Sequence, residues 1–168
     1  MITPAHAQRM ARYNSWQNEN LYGGADRLPD LERTRQTGAF FGSIQGTLGH
    51  LVWGDQIWMH RFDPTLPAPR AKSIAESPGS ITDWPELKQV RTALDDTIIA
   101  WTDRLAPAWL EGDLSWYSGA MKRDVTRPKW LLVTHMFNHQ THHRGQVHCM
   151  LTQAGVKPGD TDLPFMEA

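Results

Sequence analysis

The stretch PKWLLVTHMFNHQTHHRGQVHCMLTQAG, residues 128–155, decides the fold and carries five of the chain's eight histidines. Pro128 stands where proline favours the start of a helix, and Gly155 stands where glycine commonly ends one. The apolar residues between them recur at helical spacing; they are Leu132, Val133, Met136, Phe137, Val147, Met150 and Leu151. The stretch therefore predicts a long helix, ending near Gln153, with one face turned toward an apolar core.

The histidines of this helix are not equivalent. With about 100° per residue and His135 at zero, His139 falls at about 40° and His143 at about 80°. Their rings thus project one turn apart from the same side, with His143 inside the apolar arc and His139 at its edge. His135 and His142 fall on the border of that arc, and His148 points away from it. Because two imidazoles one turn apart form a common half-site for zinc, nickel or iron, we predict that His139 and His143 are metal ligands.

A third ligand is predicted from another helix, because two ligands seldom hold a metal well and a bundle usually supplies the others from a facing helix. In SIQGTLGHLVWGDQIW, residues 43–58, His50 stands among Gly46, Gly49 and Gly54. Glycines lower helix stability and are tolerated mainly where another group approaches closely, so a ligand beside His50 would account for them. Three neutral imidazoles leave one or two coordination positions for water or substrate, which is the open arrangement of a catalytic site.

Three helices are predicted upstream, because apolar residues again recur at helical spacing between capping residues and helix breakers. They run from Thr3 to Gly23, from Ser43 to Asp63 and from Asp83 to Pro107. Strand-like alternation is weak except in LSWYSG and KRDVT, residues 114–119 and 122–126, which we predict pair as a small hairpin.

The connections between these helices bear on the topology. The joins after the second and third helices are roughly twenty residues each, and at about 3.3 Å per extended residue each can travel the full length of a helix. We therefore predict an all-α protein, a four-helix bundle with long crossover connections, whose helix order need not be simple up-and-down.

Composition limits the function classes. A length of 168 residues fits one domain over residues 1–168. With 17 basic and 18 acidic residues and a formal net charge of −1, we expect no nucleic-acid partner. The first thirty residues show neither a signal peptide nor a membrane-spanning run, and the single cysteine, Cys149, excludes an internal disulfide. We expect a cytoplasmic protein without a membrane partner, in which Cys149 is a buried thiol.

Other polar residues have simpler interpretations. The segment HQTHH matches the ligand spacing of the zinc-protease helix H-E-x-x-H, but Gln140 occupies the place of the glutamate that removes a proton from water. A carboxamide cannot accept that proton, so the protease interpretation fails. His135 and His142 are assigned to groups that support the ligands or face solvent, and Asp55 to capping, pairing or orienting a neighbour. Large aromatic residues are assigned to the core; these are Trp53, Trp58 and Trp101.

Three segments together carry a family resemblance: YNSWQN at residues 13–18, TLGHLVWGDQIWMHRF at 47–62, and HMFNHQTHHRGQ at 135–146. Over nearly its whole length, and including the closing DLPF, the chain resembles the DinB / YfiT-like family. The resemblance implies a four-helix bundle in up-down-down-up order, one divalent metal and a homodimer. It also implies that the metal is held by the histidines that the helical pattern selects, namely His50, His139 and His143.

The resemblance also implies a class of chemistry. Relatives with assigned activity include thiol-dependent S-transferases and isomerases that use mycothiol, bacillithiol or glutathione. We therefore predict a metal-dependent transferase that acts on a small molecule and uses a low-molecular-weight thiol. Its metal is expected to be zinc or nickel, with iron as the alternative. Imidazole donors argue against calcium and magnesium, which prefer oxygen.

Three alternatives stay open at this point. The first is a small hydrolase, because the sequence does not distinguish sulfur from oxygen as the nucleophile. The second is a non-catalytic metal or small-ligand binding protein, such as a sensor or carrier, which the lack of an evident general acid or base favours. The third is a purely structural bundle, in which the histidines only form hydrogen bonds or a dimer contact.

Overall fold

The computed structural model describes residues 1–166, and in that range the chain forms six α-helices and one two-stranded sheet. The helices are α1 (Pro4–Ala25), α2 (Asp30–Thr34), α3 (Ile44–Phe62), α4 (Trp84–Asp103), α5 (Pro107–Glu111) and α6 (Lys129–Gln153). The strands are β1 (Asp113–Ser118) and β2 (Arg123–Pro128), and short 3-10 helices cover Ser77–Gly79 and Leu163–Phe165. Four of the helices are long, as the sequence predicts.

The long helices begin at the residues whose side chains cap them. Thr3 accepts a hydrogen bond from the backbone N–H of residue 6 at the start of α1. Ser43 and Asp83 do the same for α3 and α4, each by accepting from the N–H three residues on. These contacts satisfy N–H groups that the first turn of a helix leaves free. The predicted starts of these three helices are therefore confirmed.

The helix α1 runs antiparallel to α4. An ion pair joins Arg12 near the start of α1 to Asp103 at the end of α4, with 3.0 Å between nitrogen and oxygen. A second joins Asp26, just after α1, to Lys88 near the start of α4 at 2.9 Å. Residue numbers thus rise along one helix as they fall along the other.

The helix α3 runs parallel to α4 and antiparallel to α6. Asp55 of α3 pairs with Arg91 of α4. Two to three turns further along both helices, Phe62 stacks on Trp101 with 5.3 Å between ring centroids. Between α3 and α6 the residue numbers change in opposite directions: His50 contacts His143, and Trp58 contacts His135. The four long helices are therefore ordered up, down, down, up, and the all-α bundle with crossover connections is confirmed.

The core lies between the four long helices. Its apolar side chains follow the predicted periodicity of each helix, and the largest that are almost fully buried are Ile44, Leu48, Met59, Leu87, Ile98, Leu110, Met136 and Leu151. Trp53, Trp58 and Trp101 are buried, as predicted. None of the helices in residues 1–166 combines the length and the hydropathy that a membrane span requires.

The connection between α4 and α6 holds the small sheet. The strands β1 and β2 pair antiparallel, with Asp113 opposite Pro128 and Ser118 opposite Arg123. This is the hairpin that the sequence predicts, two residues longer than predicted at its open end on β2. The turn is closed by Lys122, whose φ of 52° lies in the left-handed region.

Three expectations about the fold differ from the structure. The glycine pair at residues 23–24 does not end the first helix, since α1 continues to Ala25. Pro107 does not close the third helix; α4 ends at Asp103, and Pro107 begins the short α5, where a proline in the first turn loses no hydrogen bond. Cys149 is exposed, so the predicted buried thiol is wrong. At about 100° per residue, position 149 falls beside His142 on the helical wheel, outside the apolar arc that faces the core.

Candidate metal centre

The structure brings the three predicted histidines together. His50 projects from α3, and His139 and His143 project from successive turns of the antiparallel α6. Their candidate ligand nitrogens all lie within 4.8 Å of one another, and the Nε2 atoms of His50 and His139 are 3.1 Å apart. Within residues 1–166 this is the one group of three or more histidine, cysteine, aspartate or glutamate side chains with such spacing.

The environment keeps these imidazoles neutral. Burial, together with the neighbouring His139 and His143, lowers the pKa of His50 to about 3. Burial likewise lowers the pKa of His139 to about 4 and lowers the pKa of His143. At neutral pH all three rings therefore have an unprotonated nitrogen, which is the form that a metal ion requires.

A serine orients the ring of His50. The hydroxyl of Ser77 donates its one hydrogen to the backbone oxygen of Ile74 at 2.6 Å, and its oxygen lies 2.8 Å from Nδ1 of His50. Since that hydrogen is already used, Ser77 must accept at His50, so Nδ1 of His50 carries the proton. The lone pair of His50 is then on Nε2, the atom that faces His139.

A glutamine orients the ring of His143 in the same way. Oε1 of Gln146 lies 2.8 Å from Nδ1 of His143, and an amide oxygen can only accept. The amide nitrogen of Gln146 points to Nε2 of His142 at 3.4 Å, which agrees with that amide orientation. His143 therefore has its proton on Nδ1 and its lone pair on Nε2.

Glycines of α3 admit the groups that surround His50. A Cβ atom at Gly54 would lie 3.0 Å from Cε1 of His139, so this position leaves room for that ring. At Gly46 and Gly49, however, a Cβ would meet the backbone of Phe41 and of Pro78. The expectation that a ligand accounts for all three glycines is thus wrong for two of them, which admit neighbouring chain segments.

Aromatic rings cover the cluster. Phe41, in the segment before α3, stacks on His50 with 3.7 Å between ring centroids and meets His143 edge-on at 5.2 Å. Trp53 lies 5.7 Å from His50 on the same helix. These apolar rings reduce the solvation of the imidazoles, which is the physical cause of their low pKa values.

The other histidines lie outside this group. His135 is exposed, with its ring 5.9 Å from His139 and 5.2 Å from Trp58. His142 is also exposed, with its ring 4.8 Å from His143. The two therefore border the cluster, in agreement with their assignment as supporting or solvent-facing groups.

Asp55 does not belong to the cluster either. Its carboxylate pairs with the guanidinium of Arg91 at 2.6 Å inside the bundle, so the predicted pairing role is observed. No carboxylate of the described residues is among the groups that shift the pKa of His50, His139 or His143.

Sequence reasoning missed three residues of the site. Gln146 carried a usable signal, because it lies three positions after His143 and so on the same side of α6. Ser77 and Phe41 lie in connecting segments, 27 residues after and 9 residues before His50, and no local spacing relates them to it.

An open groove of about 580 Å³ lies elsewhere on the bundle. It is lined by α1, α4 and the C-terminal segment, through Arg12, Ser15, Trp16, Glu19, Ile99, Phe165 and Met166. None of these residues belongs to the histidine cluster.

The donor set fits a transition metal. In a tetrahedral zinc site with bonds of about 2.0–2.1 Å to nitrogen, ligand nitrogens are about 3.4 Å apart. The 3.1 Å between Nε2 of His50 and Nε2 of His139 is close to this value. The three residues can therefore hold a metal ion, and three protein ligands leave a coordination position open.

Comparisons with known proteins agree with this architecture. The model of the DinB family matches residues 1–168. Among individual proteins, the Protein DinB of Bacillus subtilis (strain 168) is 26% identical over 167 residues, an alignment that covers 93% of this chain and 90% of that protein.

Proposed function

Because the chain belongs to the DinB family, we propose that His50, His139 and His143 bind one divalent transition metal per chain. The observation that carries the proposal is the meeting of three neutral imidazoles from two antiparallel helices, with their nitrogens within 4.8 Å. Zinc and nickel suit this donor set best, and iron also accepts imidazole.

The proposed activity is thiol-dependent S-transfer to a small molecule. A divalent cation in this site would lower the pKa of a thiol or a water molecule beside it. Ser77 and Gln146 would fix the ring orientation of His50 and His143, and Phe41 would exclude bulk water from one side. A small hydrolase is the variant in which water takes the place of the thiol.

Metal content tests the site. Protein expressed without a histidine tag and freed of chelators should contain about one zinc or nickel per chain by elemental analysis. His143→Ala should lose most of this metal, because two imidazoles seldom hold a metal well. His148→Ala is the matched control, since it removes a histidine of the same helix outside the cluster. Unchanged metal content in His143→Ala would contradict the proposal.

The second candidate is a non-catalytic metal or small-ligand binding protein, such as a sensor or carrier. It is favoured by the observation that, within residues 1–166, no carboxylate acts on the pKa of the three histidines. Such a site lacks an evident general base. Turnover of a panel of thiols and electrophiles that stops on chelation would decide for the enzyme, and saturable binding without turnover would decide for the carrier.

We further propose one domain over residues 1–168, a cytoplasmic location and a homodimer. The exposed free thiol of Cys149 suits a reducing compartment. Exposed Phe40 and Phe165 provide apolar surface of the kind that subunit contacts bury. Sedimentation of the metal-loaded protein measures the subunit number.

A further inference from the structure

The guanidinium of Arg61 lies against two tryptophans that contact each other. Its Cζ lies 4.7 Å from the ring centroid of Trp58 on α3 and 5.4 Å from that of Trp116 on β1. The two indoles meet edge to face at 5.5 Å. Cation–π contacts of this kind hold the guanidinium in place without using its N–H groups as hydrogen-bond donors.

This guanidinium has no anionic partner within residues 1–166. Two of the chain's buried arginines pair with carboxylates, Arg33 with Asp30 and Arg91 with Asp55 and Asp95. The buried Arg144 instead donates to the neutral side chains of Asn14 and Thr141. Burial lowers the pKa of Arg61, and no carboxylate raises it again. Arg61 is half-buried, and none of its nitrogens is both buried and without a hydrogen-bond partner, so the guanidinium keeps contact with solvent. Arg61 is therefore a preoriented cation that is open to a ligand.

A line of rings connects Arg61 to the candidate metal centre. His139 of the centre lies 5.9 Å from His135, and His135 lies 5.2 Å from Trp58, on which the guanidinium of Arg61 stacks. On α3, Arg61 stands eleven residues after His50 and its guanidinium lies over Trp58, eight residues after His50, so the span to the centre along the helix is roughly 12–16 Å. An extended small molecule can span this distance, whereas a single amino acid cannot.

We propose that Arg61 binds a carboxylate of an extended small molecule whose other end reaches the three-histidine centre. The guanidinium fork matches the two oxygens of a carboxylate. One unpaired positive charge also balances a carboxylate better than a phosphate dianion. The inference rests on the proposed function, whose substrate class it makes specific.

Binding of a matched pair of probes tests the proposal. Glutathione has two carboxylates at a distance from its thiol, and its diethyl ester lacks both charges. Calorimetry with the zinc-loaded protein should show that Arg61→Met weakens glutathione binding by about tenfold or more and leaves ester binding unchanged. The control is Arg70→Met, which removes an exposed arginine paired with Glu86 and should change neither affinity. Cysteine, in which only three bonds separate sulfur from the carboxylate carbon, should not depend on Arg61.

A structural role for Arg61 predicts a different result. If the guanidinium only attaches the hairpin to α3, Arg61→Met should weaken glutathione and its ester equally, and this outcome would overturn the proposal. Arg61→Lys provides a second variant that keeps the charge and the stacking but lacks the fork. It should retain the fold and bind glutathione with an affinity between those of the wild type and Arg61→Met.

Failure of the proposed function can be told apart from failure of this inference. In cobalt-loaded protein, glutathione should produce a sulfur-to-cobalt charge-transfer band, and the absence of this band would refute thiol binding at the centre. S-methylglutathione keeps both carboxylates but has no thiol proton to lose, so it tests Arg61 by itself. If Arg61→Met weakens neither glutathione nor S-methylglutathione relative to the ester, or if none of these carboxylates binds, the Arg61 proposal is wrong.

Discussion

At the scale of single residues, the candidate site depends on hydrogen bonds that choose between the two nitrogens of an imidazole. Ser77 and Gln146 accept from Nδ1 of His50 and His143, and both rings thus present Nε2. Partners of this kind fix the tautomer and raise the basicity of the ligand nitrogen.

Removal of the serine hydroxyl tests this arrangement. Ser77→Ala should weaken zinc binding by about tenfold to a hundredfold, because Nδ1–H of His50 loses its acceptor and the ring loses its orientation. Competition with a chromophoric chelator measures the affinity. The control is Ser80→Ala, which removes a hydroxyl from the same segment that contacts only the backbone oxygen of Ser77. An undiminished affinity in Ser77→Ala would show that the ring is oriented by other contacts.

At the scale of secondary-structure elements, the antiparallel packing of α3 on α6 determines which positions meet. Gly54 faces His139 because the two helices cross closely there, and a larger residue would displace the ring. Glycine in a helix interior lowers stability by about 1 kcal/mol relative to alanine. Glycine at position 54 therefore lowers the stability of α3 but leaves room for the ring of His139.

Alanine at this position should separate the two effects. Gly54→Ala should raise the free energy of unfolding of the metal-free protein by less than the roughly 1 kcal/mol that helix propensity allows, because the ring of His139 must move away from the new Cβ. It should also weaken zinc binding by roughly tenfold, because the new Cβ crowds His139 and overpacking of this kind costs about 1–3 kcal/mol.

The matched control for Gly54→Ala is Gly145→Ala on α6. A Cβ at Gly145 would have nothing within 4 Å, so this variant should gain stability with zinc affinity unchanged. Urea unfolding and chelator competition measure the two quantities. Equal zinc affinity in both variants would refute the steric account of Gly54.

At the scale of the whole molecule, a buried polar network joins all four long helices. Arg91 of α4 donates to Asp55 of α3 at 2.6 Å and to Asp95 of its own helix at 3.1 Å. Asn14 of α1 donates to Asp95 at 3.0 Å and accepts from Arg144 of α6. Burial alone would lower the pKa of Arg91, but the charges of Asp95 and Asp55 raise it. The network therefore holds the arginine charged inside the bundle.

Loss of the central arginine should destabilise the fold strongly. Arg91→Met should lower the free energy of unfolding by about 3–5 kcal/mol, because it leaves two buried carboxylates without their cation. Arg12→Met, which breaks the surface pair with Asp103 between α1 and α4, should cost less than about 1 kcal/mol. Urea denaturation measures both. Coincident transitions by circular dichroism and tryptophan fluorescence would support the proposed single domain, and separate transitions would contradict it.

Much of the secondary structure could be predicted from the sequence, because it depends on interactions between residues close together in the chain. Helix starts depend on a capping side chain and the three residues that follow it, so Thr3, Ser43 and Asp83 identified them. The placing of His139 and His143 on one side of α6 is likewise a property of helix geometry. The same geometry, applied to Cys149, would have placed it outside the core.

The sequence by itself therefore determined the four long helices, the hairpin and the histidine pair, because each depends on residues close together in the chain. Only the tertiary structure decided the contacts of Ser77 and Phe41 with His50 and the position of Arg61 against two indoles. These contacts depend on loop paths and on the register between antiparallel helices. Both are set by the packing of the whole core, which no local spacing encodes.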